Sequence, residues 1–169
     1  MPVTIGALRE SAPHETRVSL VPEVAEKFAQ SGARLLIEKG AGVRANFPDA
    51  LFKKVEWADG PGAVLSTADV VLTVQPLTVA QIGQLKSSAV VVGYMQAHSR
   101  KDEVKALRDR RITSFAMELV PRISRAQSMD ALSSQAAIAG YKAVLIAATH
   151  LPKFLPLLTT AAASIRPPQ

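Results

Sequence analysis

The sequence predicts an α/β fold: a doubly wound, mostly parallel sheet with helices on both faces, ending in a long helix. Three observations predict it. Short runs rich in β-branched residues alternate with helical stretches of about ten residues, the spacing that joins parallel strands through crossovers. The loops after the strands (8–17, 75–77, 95–100 and 118–129) are rich in polar residues or proline, while the helix-to-strand connections are short. Hydrophobic residues make up 48% of 169 residues, enough for one real core and too few for two of ordinary size.

Each element has a local reason. Val3–Ala7 reads as the first strand. Pro22–Gln30 reads as a helix, with Pro22 suited to the first turn and Gly32 to the stop. Arg34–Glu38 is the second strand, Asp49 caps a short helix through Val55, and Glu56–Ala58 is a minor strand. Val70–Val74 is a buried strand, and Thr78 caps a helix through Leu85. Val90–Tyr94, the charged helix Lys101–Arg110 and Thr113–Met117 complete the pattern. After a polar loop, a long helix runs from about Asp130 to Thr149. In the tail, Pro152 and Pro156 interrupt the chain before a short helix, Leu157–Ser164, and the closing Arg166-Pro-Pro-Gln169 reads as a linker. The expected division is a domain over 1–150 and a linker over 151–169.

Composition narrows the chemistry. There is no cysteine, so disulfides, thiolate nucleophiles and Cys-ligated metals are excluded, and a reducing compartment is consistent with that. No signal peptide is visible, since residues 1–6 lead straight into a strand. The most apolar stretch, Ala136–Ala148, holds Tyr141 and Lys142 and falls short of the ~20 apolar residues that span a bilayer. The formal charge is +6, but aromatics are only 5% and no basic run exceeds two residues, so the charge reads as a solvated basic face and not a nucleic-acid site. His14, His98 and His150 lie far from one another and from carboxylates at ligand spacing, which argues against a metal site.

Several motifs admit more than one reading. Gly40-Ala-Gly42-Val-Arg-Ala45 has the outline of a dinucleotide fingerprint, but Asn46-Phe-Pro48 follows and no long helix can open there, so it reads as a turn. Arg9, Glu10, Glu15 and Arg17, in the loop after the first strand, can grip a carboxylate or phosphate, or form a surface ion-pair cluster worth little, and the residues alone favour the surface cluster. His98, in a strand-end loop, reads as a solvated histidine ahead of an acid–base group. The segment Met117–Gln135 is the most informative. Asp130 and Ser133 share one face of a first helical turn and offer an acceptor beside a hydroxyl. Such a pair can hold a carboxamide, or it can be an ordinary N-cap network, and the residues alone favour neither. In the long helix, Gly140 and its small neighbours favour core packing, with an interdomain or dimer contact second.

Pro121-Arg-Ile-Ser-Arg-Ala-Gln-Ser-Met-Asp-Ala-Leu-Ser-Ser-Gln135, followed by Ile138-Ala-Gly-Tyr-Lys-Ala-Val144, resembles the alpha subunit of the proton-translocating NAD(P) transhydrogenases. Glu10, Arg17-Val-Ser19, Glu38-Lys-Gly-Ala-Gly42, Phe47-Pro-Asp49 and Phe115-Ala-Met-Glu-Leu-Val-Pro121 agree with it, so the resemblance covers essentially the whole chain. Alanine dehydrogenase shares the fold. Its substrate-serving lysine and histidine match Val74 and Gln96 here, and neither residue can do that work, which speaks for the transhydrogenase branch.

The resemblance implies a Rossmann/flavodoxin-like domain of a subunit that carries NAD(H) on the cytoplasmic side, peripheral to the inner membrane through partner subunits. Hydride then passes directly from NADH to an NADP+ held by a separate beta subunit, coupled to proton flow through membrane subunits. Arg122, Asp130 and Ser133 would position the nicotinamide ring, and Gln127 would reach toward the facing nucleotide. No catalytic acid or base is implied, because the reaction is one of positioning. The family continues past a Pro-Pro segment into a Gly-x-Gly-x-x-Gly domain, so the cofactor would be shared with an absent NAD-binding domain and the chain inactive alone. A homodimer is also implied. The alternatives are a non-enzymatic interaction or regulatory module and an alanine-dehydrogenase-like substrate domain.

Overall fold

In a computed structural model, residues 2–152, 155, 158–159, 161–162 and 164–165 are described. The chain forms two compact units, Met1–Pro121 and Arg122–Gln169.

The first unit is built on six parallel strands: β1 (Thr4–Ala7), β2 (Arg34–Glu38), β3 (Glu56–Ala58), β4 (Val70–Leu72), β5 (Val90–Gly93) and β6 (Thr113–Ala116). Their order is β3-β2-β1-β4-β5-β6. The chain therefore winds outward in one direction from β1 and in the other from β4. Such a reversal opens a crevice at the carboxyl ends of the two central strands, the usual place for a ligand in this architecture.

Alternation along the strands divides the core into two layers. Leu35 and Ile37 pack with Ile5, Ala7 and Ala25 of α1 (Pro22–Gln30). Leu36, Val71 and Val91 face the other way, onto Val64 and Leu65 of α2 (Pro61–Thr67), Ile82 of α3 (Val79–Gln84) and Leu107 of α4 (Lys101–Asp109). The helices thus cover both faces, as the alternating pattern requires. Thr78 closes a reciprocal capping box with Gln81 at the start of α3. Two glycines permit close approaches: a Cβ at Gly6 would lie 2.6 Å from Val64 Cγ1, and one at Gly42 would overlap the Phe47 carbonyl oxygen.

Beyond the strand ends, the structure departs from the sequence expectation at several elements. Helix α2 is absent from that expectation; Pro61 at its first turn and the apolar run Ala63–Leu65 carry its signal, but it is only 7 residues long. Asp49 opens a single 3-10 turn, Asp49–Leu51, and no helix reaches Val55. Its side chain instead accepts from Gly40 N–H. In the tail, Leu158–Thr159 (β7) pairs antiparallel with Ser164–Ile165 (β8) where a helix over Leu157–Ser164 is expected. The β-branched Thr159 favours the extended state. The expected linker residues Arg166–Gln169 lie outside the described residues. Finally, α5 (Ala131–His150) runs for 20 residues and is long and apolar enough, by length and composition alone, to cross a membrane. The expectation took Ala136–Ala148, interrupted by Tyr141 and Lys142, as too short, whereas averaged over the length of the helix these two residues leave it apolar. Ile138, Tyr141 and Val144 on α5 are exposed.

Candidate functional site

The second unit opens with the polar loop singled out in the sequence. A 3-10 turn, Ser124–Met129, is anchored by the buried Ala126. The turn ends at Asp130, which caps α5: its Oδ1 accepts from Ser133 N at 2.9 Å, and Ser133 Oγ donates to its Oδ2 at 2.6 Å. Ser134 Oγ donates to the Asp130 carbonyl at 3.0 Å. These hydrogen bonds hold the Asp130 carboxyl below the usual range, with the Ser133 hydroxyl the main cause, the Ser133 amide next and the Arg122 charge a smaller one.

Arg122, Ile123, Ser124, Gln127 and Asp130 line one open recess of about 260 Å³. Three of the four residues expected from the sequence thus share a wall, and the fourth, Ser133, is bonded to one of them. The local bonds are those of an N-cap. The same arrangement has a chemical direction: the Ser133 hydroxyl donates to Asp130, which leaves its oxygen as an acceptor beside a carboxylate, while Arg122 supplies donors. A carboxamide needs that set, since its nitrogen donates twice and its oxygen accepts. Ile123 and Ser124 were not foreseen as lining residues; Ile123, an exposed apolar side chain, is the one hydrophobic residue of that lining.

The first unit carries a separate polar network at its strand ends. Glu10 is buried and accepts from Val74 N at 2.6 Å and Gln75 N at 3.1 Å, so a carboxylate after β1 clamps the backbone after β4. Burial raises its pKa against the lowering effect of those amides. Four donors converge on the buried Glu15 carboxylate: Arg17 Nε at 2.8 Å, Arg17 Nη2 at 2.6 Å, Arg17 N at 3.0 Å and Gln75 Nε2 at 2.6 Å. They bring its pKa down to about 2, with the Arg17 side chain the largest cause. The Arg17 guanidinium lies 5.7 Å from the Tyr94 ring centroid. The first-loop charges are therefore no surface cluster: Glu10 and Glu15 are both buried, and each is consumed by a defined partner.

Gln75 Oε1 accepts from Gln96 Nε2 at 3.3 Å. Glu118 completes the chain, accepting from Met95 N at 3.1 Å and Gln96 N at 2.7 Å. Val74 turns its backbone to Glu10, and Gln96 offers an amide side chain; neither supplies a titrating group at this edge. Among the described residues, no cluster of three metal-ligating side chains occurs.

The profile of the alanine dehydrogenase/PNT N-terminal domain matches residues 6–139. The chain belongs to that family. As a member of the alanine dehydrogenase/PNT N-terminal domain family, it is 39% identical over 167 residues to the first segment of the NAD(P) transhydrogenase subunit alpha of Rickettsia prowazekii, covering 95% of this chain and 44% of the relative. The corresponding Rhodospirillum rubrum protein is 40% identical over 170 residues, covering 96% and 44%. Among solved structures, the transhydrogenase from Sinorhizobium meliloti matches with a TM-score of 0.89 and 36% identity, covering 97% of this chain and 49% of that one. The chain thus spans about half the length of the relatives it matches.

Proposed function

We propose that the chain is the N-terminal part of the NAD(H)-binding alpha subunit of a proton-translocating NAD(P) transhydrogenase, and that it positions the nicotinamide for direct hydride transfer from NADH to NADP+. The observation that carries this reading is the recess at the start of α5, where Arg122, Gln127 and Asp130 share a wall and Ser133 is bonded to Asp130. Its donors and acceptors complement a carboxamide, and similarity to transhydrogenase alpha subunits supports the assignment.

The bound dinucleotide supplies the hydride. The chain's own residues bind and orient: Arg122 donates to the carboxamide oxygen, and Asp130 and Ser133 accept from its nitrogen. Gln127 reaches toward the facing nucleotide. In this reading the NAD contacts are shared with an NAD-binding domain, NADP is held by a beta subunit, and the complex is completed by membrane subunits. The chain sits on the cytoplasmic side, peripheral to the inner membrane, pairs as a homodimer, and is inactive alone.

NADH titrated into the chain, followed by its fluorescence, is expected to bind weakly. Arg122→Ala is expected to weaken that binding about tenfold, the scale of one charge-assisted hydrogen bond. Tight binding by this chain alone, or affinity indifferent to Arg122, overturns the reading.

A further inference from the structure

The crevice where the winding of the sheet reverses shares no residue with the recess at Arg122–Asp130. Residues of the first unit alone line it. They come from the loop after β1 (Leu8–Pro13), from the segment after β4 (Thr73 and Gln75–Thr78), from Gln81 of α3, and from Arg100 at the start of α4. The space measures about 240 Å³. Leu8 and Leu77 of the lining are buried, and Glu10 ties the loop after β1 to the segment after β4 through the Val74 and Gln75 amides. Packing and a buried carboxylate thus preform the crevice, which spares a ligand the cost of ordering it.

The hydrogen-bonding groups left over in its wall are of one kind. The side-chain acceptors are engaged. Both Glu10 oxygens take backbone amides. Gln75 Oε1 accepts from Gln96 Nε2, and Gln81 Oε1 accepts from the Thr78 amide and hydroxyl. Thr78 Oγ1 accepts from Gln81 N. The donors are not engaged. Among the described residues the Arg9 guanidinium has no partner, since only its backbone amide is bonded, to Glu38. Arg100 commits Nη1 to Glu103 at 3.0 Å and keeps its other donors free. Gln81 is left with its Nε2 hydrogens, and Thr73 Oγ1 is buried without a partner.

A wall with free donors, engaged acceptors and an uncompensated guanidinium complements an anion. The sheet order sharpens the class. Arg9 follows β1 and Arg100 follows β5, the two strands that flank β4. Gln81 belongs to a third segment. Donors from three segments suit oxygens arranged tetrahedrally better than the two coplanar oxygens of a carboxylate.

We propose that this crevice binds a phosphate group, free or carried by a small molecule, with Arg9 and Arg100 as the charged grip and Gln81 as a neutral donor. The site stands independently of the cofactor reading above. Arg9 and Arg100 are both exposed, so water and salt compete with the ligand and binding weakens as ionic strength rises.

The test titrates sodium phosphate into the full 15N-labelled chain, with chloride holding the ionic strength constant. The amide resonances of Ser11, Thr78, Gln81 and Arg100 are followed, and saturable shifts are expected there. Arg9→Gln, which has no other side-chain partner to lose, should weaken phosphate binding about tenfold, the scale of one charge-assisted hydrogen bond. Arg100→Gln should weaken it by a similar factor. Arg108→Gln removes the same charge from an exposed position outside the lining and should leave affinity unchanged. A parallel titration with glycerol phosphate separates the two sources: tighter binding than inorganic phosphate assigns the site to a phosphorylated small molecule, and equal or weaker binding assigns it to the free ion. Acetate binding as tightly as phosphate overturns the phosphate assignment. Shifts that do not saturate, that chloride alone reproduces, or that Arg108→Gln diminishes as much as Arg9→Gln does, overturn the site.

Discussion

Replacing Glu15 with Gln should remove a pH-dependent contribution to stability that the wild type carries. The folded carboxyl titrates at about 2 against 4.5 for an ordinary glutamate. At neutral pH that displacement corresponds to about 3 kcal/mol in favour of the fold. The Arg17 side chain is 39% exposed, so solvent screens part of the pair, and about 2 kcal/mol is the sounder expectation. The sign follows from the direction of the shift. A lowered carboxyl contributes fully above the unfolded value of 4.5 and loses its contribution as the pH falls to about 2, with roughly half gone near pH 3. Glu15→Gln retains an acceptor for Gln75 but cannot pair with Arg17 as an ion. Urea unfolding of both proteins should therefore differ by about 2 kcal/mol at pH 7 and converge as the pH approaches 2. A difference that stays constant between pH 7 and pH 3 refutes the electrostatic argument, because packing and neutral hydrogen bonds do not titrate there.

Two further substitutions probe the sheet itself. A Cβ at Gly93 would overlap Thr73 Oγ1 and lie 2.5 Å from the Thr73 carbonyl oxygen, so Gly93→Ala should cost about 2–3 kcal/mol by parting β5 from β4; an unchanged thermal midpoint refutes that. Thr73 Oγ1 is buried and has no hydrogen-bond partner among the described residues, so Thr73→Val should raise stability by up to about 1 kcal/mol in denaturant unfolding, and a marked loss would show that the hydroxyl has a partner.

The alternating strands and helices were legible because each carries its own local signal. α1 and β2 occupy the residues expected, since Pro22 starts one and the apolar run Leu35–Ile37 makes the other. β4 is shorter than the expected Val70–Val74, and the reason is tertiary: the Val74 amide is taken by Glu10, from a loop 64 residues earlier. A sequence pattern cannot register such a contact. The loop at Arg122–Ser133 was legible because Asp130 and Ser133 are three apart on one helical turn, which fixes their contact from spacing alone. The partner of Glu118 was not, since its two amides lie 22 and 23 residues away and carry no side-chain signature. The two glutamines that join the network gave no titration signal either; Gln96 could be singled out only for the histidine it fails to be.

The acids of the first unit argue for what kind of chemistry this edge supports. General acid–base catalysis needs a titrating side chain free to exchange a proton with a ligand. Here Glu10 is committed to the Val74 and Gln75 amides, Glu15 to Arg17, Glu38 to the Arg9 amide and Glu118 to Met95 and Gln96. Each of these carboxylates ties the end of one strand or its loop to the backbone or side chains of another segment. Moving any of them to a reacting proton would release a loop that the edge depends on. An edge so arranged is suited to holding backbone still, and a reaction that needs only orientation can be served by it. Oxidation of an amino acid, which requires a proton acceptor beside the substrate, would need one of these four to be freed or another titrating side chain at this edge, such as the exposed His98.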